Sequence, residues 1–127
     1  MIGLFGIFGR SRDLQRLDGA LRARGLHPRL LPEAVKLTVF KLLREETGQR
    51  SPPPAAHEKA AGLLVYCCLG AQGFAEENGV AALDEVEQRL DRALEENDSL
   101  DARLVLLMLH SRMIQATVVE RFDLRAV

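Results

Sequence analysis

Three histidines, two cysteines and one dense run of carboxylates are the side chains of this 127-residue sequence that could do chemistry. His27, His57 and His110 are scattered. None belongs to a His-x-x-x-His, His-Glu-x-x-His or Cys-x-x-Cys spacing, so no zinc ligand set emerges from them. Cys67 and Cys68 are adjacent and sit among Leu63, Leu64, Val65, Tyr66 and Leu69. A nucleophilic thiol needs an electropositive, partly exposed setting, so the pair reads as small buried hydrophobes, and neighbours this close are poorly placed to bridge within a helix. Reduced thiols fit a cytosolic chain.

Between Glu76 and Asp101 ten carboxylates stand against two arginines. A di-metal bundle would turn such groups inward and add Glu-x-x-His pairs. No Glu-x-x-His occurs, and Asp84, Gln88, Asp91 and Glu95 fall opposite the leucine stripe, which makes them a solvated face. Hydrolysis at a serine would want Gly-x-Ser-x-Gly, and nucleotide binding a glycine-rich phosphate loop between strand and helix; neither pattern is present. The repeated Gly3, Gly6 and Gly9 alternate with bulky apolar residues and do not form one. No metal or cofactor is expected.

Two surfaces remain. Leu4, Phe5, Ile7 and Phe8 are followed at once by Arg10 and Arg12, a combination suited to an anionic membrane surface, to a groove on a partner, or to folding back over the domain. The arginines follow the apolar run, the reverse of a secretory signal. Near the other end, Arg103, His110 and Thr117 form a polar strip along a segment that is otherwise apolar around most of its circumference. They are expected as a polar core or an oligomer seam, with His110 neutral if buried.

Charge divides the chain. Residues 1–50 hold ten Lys or Arg against five Asp or Glu, and residues 51–127 hold seven against thirteen, giving about +5 and −6. Complementary faces within one fold, head-to-tail self-association or two partner surfaces would each use this asymmetry. The basic half lacks interleaved aromatics and a polar recognition helix, so nucleic acid is not favoured as a partner.

The elements that must position these groups are helices. Apolar residues make up 47% of the chain and aromatics only 5%, with Leu, Ala, Arg and Glu dominant, a balance that favours helix over strand. We expect an all-α, compact single-domain bundle of about five helices, near 11–24, 32–47, 55–77, 80–97 and 99–122. Ser11 is the first N-cap, and Gly25 and Gly48 are C-terminal stops. Residues 1–10 form an apolar N-terminal segment. The Pro-rich stretch 48–55 reads as an internal loop, since consecutive prolines remove donors and enforce extended backbone.

Gly62, Gly70 and Gly73 in the third helix suggest close helix–helix approach, with a kink near Gly70 and Gly73 as the alternative. The last helix, with so little polar surface, is expected at the centre of the bundle or in an oligomer seam. The sequence therefore favours a cytoplasmic, non-enzymatic interaction or assembly protein that binds itself or another protein. A membrane-peripheral protein using the N-terminal segment is the first alternative, and a small enzyme with a His110-centred pocket the second.

Overall fold

The computed structural model describes the backbone of residues 2–124 and the side chains of residues 12–124. All regular structure among the described residues is helical: α1 (Ile2–Ala23), a short 3-10 turn (Pro28–Leu30), α2 (Glu33–Thr47), α3 (Pro54–Asn78), α4 (Val80–Glu95), α5 (Leu100–His110) and α6 (Ala116–Phe122). The all-α bundle is as expected, with six α-helices instead of five.

The extra helix comes from a break in the segment expected to run unbroken from 99 to 122. Arg112 adopts a left-handed conformation (φ 58°), and the Met113 N–H donates to the Met108 carbonyl at 2.9 Å. This is a Schellman stop, in which the residue after a left-handed one reaches back to a carbonyl of the last turn. Two further helices end in the same way. Gly25 (φ 97°) lets Leu26 donate to Leu21, and Asp123 (φ 51°) lets Leu124 donate to Val119. In each case the donor is apolar, and Leu26 and Leu124 are buried.

The start of α1 also departs from expectation. Helical backbone extends from Ile2, so Ser11 lies inside the helix and does not cap it. The physical reason is that glycine weakens a helix by only about 1 kcal/mol per residue and keeps its N–H, so Gly3, Gly6 and Gly9 do not break it as a proline would.

The centre of the bundle is α3, not the last helix. It packs against α1, α4, α5 and α6, with a smaller contact to α2. Every residue from Ala60 to Cys67 is buried, so this stretch has neighbours on all sides. Around it close Leu17 and Leu21 of α1, Phe40 and Leu43 of α2, Leu90 of α4, Leu104 and Met108 of α5 and Val118 of α6. No helix among the described residues is long and apolar enough to cross a membrane.

The kink in α3 is real and falls at Gly70 (φ 78°, ψ 177°). A left-handed residue inside a helix interrupts its ladder and frees carbonyls of the preceding turn. One of these, on Cys67, accepts the Gln115 N–H at 2.9 Å, and the Cys68 thiol donates to the Met113 carbonyl at 3.4 Å. The break in α3 is thereby stitched to the connector between α5 and α6. Gly62 does not serve backbone packing as expected, because the atoms nearest a side chain placed there are the guanidinium tips of Arg24 and Arg89, each 3.6 Å away.

Candidate functional site

Two polar clusters are built into the bundle. The first joins α1, α2, the Pro-rich loop and the start of α3. Asp13, 4% exposed, is its hub: Ser51 Oγ donates to Oδ1 at 3.2 Å, Arg44 Nη2 donates to Oδ2 at 3.3 Å, and His57 Nε2 lies 3.9 Å from Oδ1. Serine, aspartate and histidine are thus gathered in one place, but the order is wrong for a nucleophilic relay. A serine hydroxyl is activated by a histidine that touches it. Here the aspartate stands between them, and neither ring nitrogen of His57 has a hydrogen-bond partner among the described residues. Burial lowers the His57 pKa, opposed by the charge of Asp13, and the ring packs edge-on to Phe40. This cluster ties down the Pro-rich loop, while burial disfavours the protonated form of His57.

The second cluster joins α3, α4 and α6. Tyr66 Oη, fully buried, donates to Glu87 Oε2 at 2.7 Å, and Arg121 Nε reaches the same oxygen at 2.7 Å. Burial and the adjacent carboxylate push the phenol pKa upward, so Tyr66 acts as a fixed donor. Phe74 and Phe122 meet its ring edge to face. The thiols are equally inert: burial pushes Cys67 up to about 12 and Cys68 to about 11. Among the described residues no group of three or more His, Cys, Asp or Glu could hold a metal ion.

The expected polar strip is not assembled. Arg103, His110 and Thr117 are all exposed, and only the first two share a ridge, because the stop at Arg112 swings Thr117 away to face Gly70. Arg103 lies 3.6 Å from Glu45. The residue between Arg103 and His110 on their ridge is Leu106, 50% exposed. Across from it stands Leu94 of α4, 44% exposed, and the two border a cleft of about 360 Å³ lined by Val105, Leu109 and Leu124. This apolar face on α4 and α5 is the candidate interaction surface. Leu94 belongs to the leucine stripe of α4 and faces this cleft at the end of the helix, beside the first turns of α5.

Arg12 is exposed, whereas the side chains of Leu4, Phe5, Ile7, Phe8 and Arg10 lie outside the described residues. The carboxylates Asp84, Asp91 and Glu95 face solvent, as expected. The charge halves mostly pair within themselves. Lys36 meets Asp18 at 2.8 Å and Arg44 meets Asp13 in the first half; Arg89 meets Asp101 at 2.9 Å and Arg121 meets Glu87 in the second. The Arg103 and Glu45 pair crosses, but with the acid on the basic side. These pairs therefore leave the two opposite excesses in place.

No protein-family model, curated protein or solved structure matches the chain.

Proposed function

We propose that this protein is a non-enzymatic interaction module that self-associates through the apolar face of α4 and α5. The observation that carries this reading is the pair of half-exposed leucines, Leu94 and Leu106, bordering one cleft. Fully burying a leucine contributes about 1.5–3 kcal/mol, and a two-fold contact would cover both residues on both copies. The same face carries Arg103 and His110 beside Leu106, a polar edge of the kind that surrounds the core of a protein contact. The unbalanced charge halves add a long-range attraction between copies that salt would screen. The two polar clusters support a non-enzymatic reading, since each consumes its reactive groups in holding helices together.

Light scattering across micromolar to near-millimolar concentration tests the proposal. The wild type is expected to grow in mass with concentration, while Leu94→Asp/Leu106→Asp stays monomeric with an unchanged helical circular dichroism spectrum. A wild type that remains monomeric throughout overturns it, as does a double variant that associates equally well.

A further inference from the structure

A second cleft, of about 300 Å³, opens on the other side of α4, where Arg24 at the end of α1, Lys59 and Gly62 of α3 and Glu85, Val86 and Arg89 of α4 meet. Its floor is glycine. The Nη1 atoms of Arg24 and Arg89 each lie 3.6 Å from the position a Gly62 side chain would start from, so the two cationic nitrogens are no more than about 7 Å apart.

The two arginines are held differently. Arg89 is fixed: Nε and Nη2 donate to the Asp101 carboxylate at 3.1 and 2.9 Å, and Nη1 donates to the Lys59 carbonyl at 3.0 Å. Each Nη carries two hydrogens, so one N–H of Nη1 remains beyond the Lys59 bond. Arg24 is unpaired: its guanidinium has no hydrogen bond or ion pair among the described residues, although Glu58 and Glu85 line the same cleft. Two like charges converging on one glycine repel, and a guanidinium without an acceptor is an open recognition group. An oxyanion accepting a hydrogen bond of about 2.9 Å from each nitrogen spans such a gap.

We propose that this cleft binds a small monoanionic carboxylate, its two oxygens bridging Arg24 and Arg89 over Gly62 and its apolar body lying toward Ala82 and Val86. The carboxylates of Glu58 and Glu85 at the same cleft set the charge limit. Glu58 and Glu85 stand against Arg24 and Lys59, and Arg89 is paired with Asp101, so the cleft has no excess of positive charge with which to hold a dianion. Gly62 supplies the room, because a methyl there would occupy the space between the two nitrogens without meeting backbone.

Benzoate, neutral benzamide and phenyl phosphate are the probes, titrated into the full-length chain and followed by the Gly62 amide and the arginine Nε–H signals in nitrogen-15 NMR spectra. Benzoate is expected to give saturable shifts with a Kd on the order of 1 mM, which suits so small a ligand, with benzamide inert and phenyl phosphate weaker. Arg24→Gln should weaken benzoate by about tenfold or more while leaving the melting temperature unchanged or higher, since a repulsion is removed. Gly62→Ala should melt higher, by gain of helix propensity, yet bind benzoate more weakly, which separates loss of binding from loss of fold. The proposal is overturned by the absence of saturable shifts at about ten times that concentration, by equal binding of benzamide, by tighter binding of phenyl phosphate, or by full benzoate binding in either variant.

Discussion

Helices α3 and α5 are both apolar on average, and α5 is the more apolar per residue, yet they stand in opposite relations to solvent. Residues Ala60 to Cys67 of α3 are buried around the full circumference, whereas α5 contacts α2, α3 and α4 and leaves the ridge of Arg103, Leu106 and His110 open. Length and connection account for the difference. Helix α3 spans 25 residues and meets every other helix, while α5 spans 11 and is stopped by the left-handed Arg112. Apolarity sets how strongly a helix favours being covered; the number of neighbours within reach sets whether it is.

The sharpest way to break this contrast is to remove the same side chain from both helices. Leu64→Ala in α3 should cost about 2–5 kcal/mol, because a fully enclosed leucine leaves a cavity. Leu106→Ala, tested on dilute monomer, should change stability by no more than about 0.5 kcal/mol. Equal costs in urea denaturation would mean that α5 is as enclosed as α3.

The kink offers the next largest effect. Gly70→Ala places a side chain at φ 78°, with its Cβ 3.2 Å from both Gln115 Oε1 and Thr117 Oγ1. A cost of about 1–3 kcal/mol is expected, with faster hydrogen exchange at the Gln115 amide, whose acceptor lies in the strained turn. An unchanged midpoint would show that α3 can straighten without losing the connector.

The histidines give the smallest test, one on each helix. Burial holds folded His57 below its ordinary value of 6.5. As pH falls through about 6.5 the unfolded chain takes up a proton that the folded state resists, so the contribution of neutral His57 is fully present above that pH and declines below it. His57→Gln should flatten the loss of stability between about pH 7 and about pH 5, with His110→Gln on exposed α5 as the reference substitution. The same slope in both variants would remove His57 as the source.

Much of the fold was legible because periodicity and glycine carry it. The stripe of Val86, Leu90 and Ala93 is buried on α4, and Gly25 and Gly48 end α1 and α2 with positive φ. The stop at Arg112 was not legible, since a left-handed conformation in this residue type is imposed by the bonds that follow it and leaves little mark on composition, whereas the end of the last helix at Phe122 lies where the sequence places it. That omission fused two helices into one and moved the apparent centre from α3 to the chain's end. The polar groupings were hidden for another reason. Asp13, Arg44, Ser51 and His57 come from four segments, as do Arg24, Gly62 and Arg89 from three, and only the packing brings them together.

The stitch at Gly70 also bears on how the chain emerges during synthesis. The acceptor of the Cys68 thiol lies 45 residues further on, and the Cys67 carbonyl waits for Gln115 in the same connector. Helix α3 can coil as soon as it leaves the ribosome, but the turn before its kink stays open to water until α4 and α5 have followed. Closing contacts so far apart in sequence is slow compared with coiling a helix. For that interval the stretch Ala60 to Cys67, buried in the finished bundle, lacks its cover from α4, α5 and α6, which leaves it open to misassociation in the seconds before residue 115 appears.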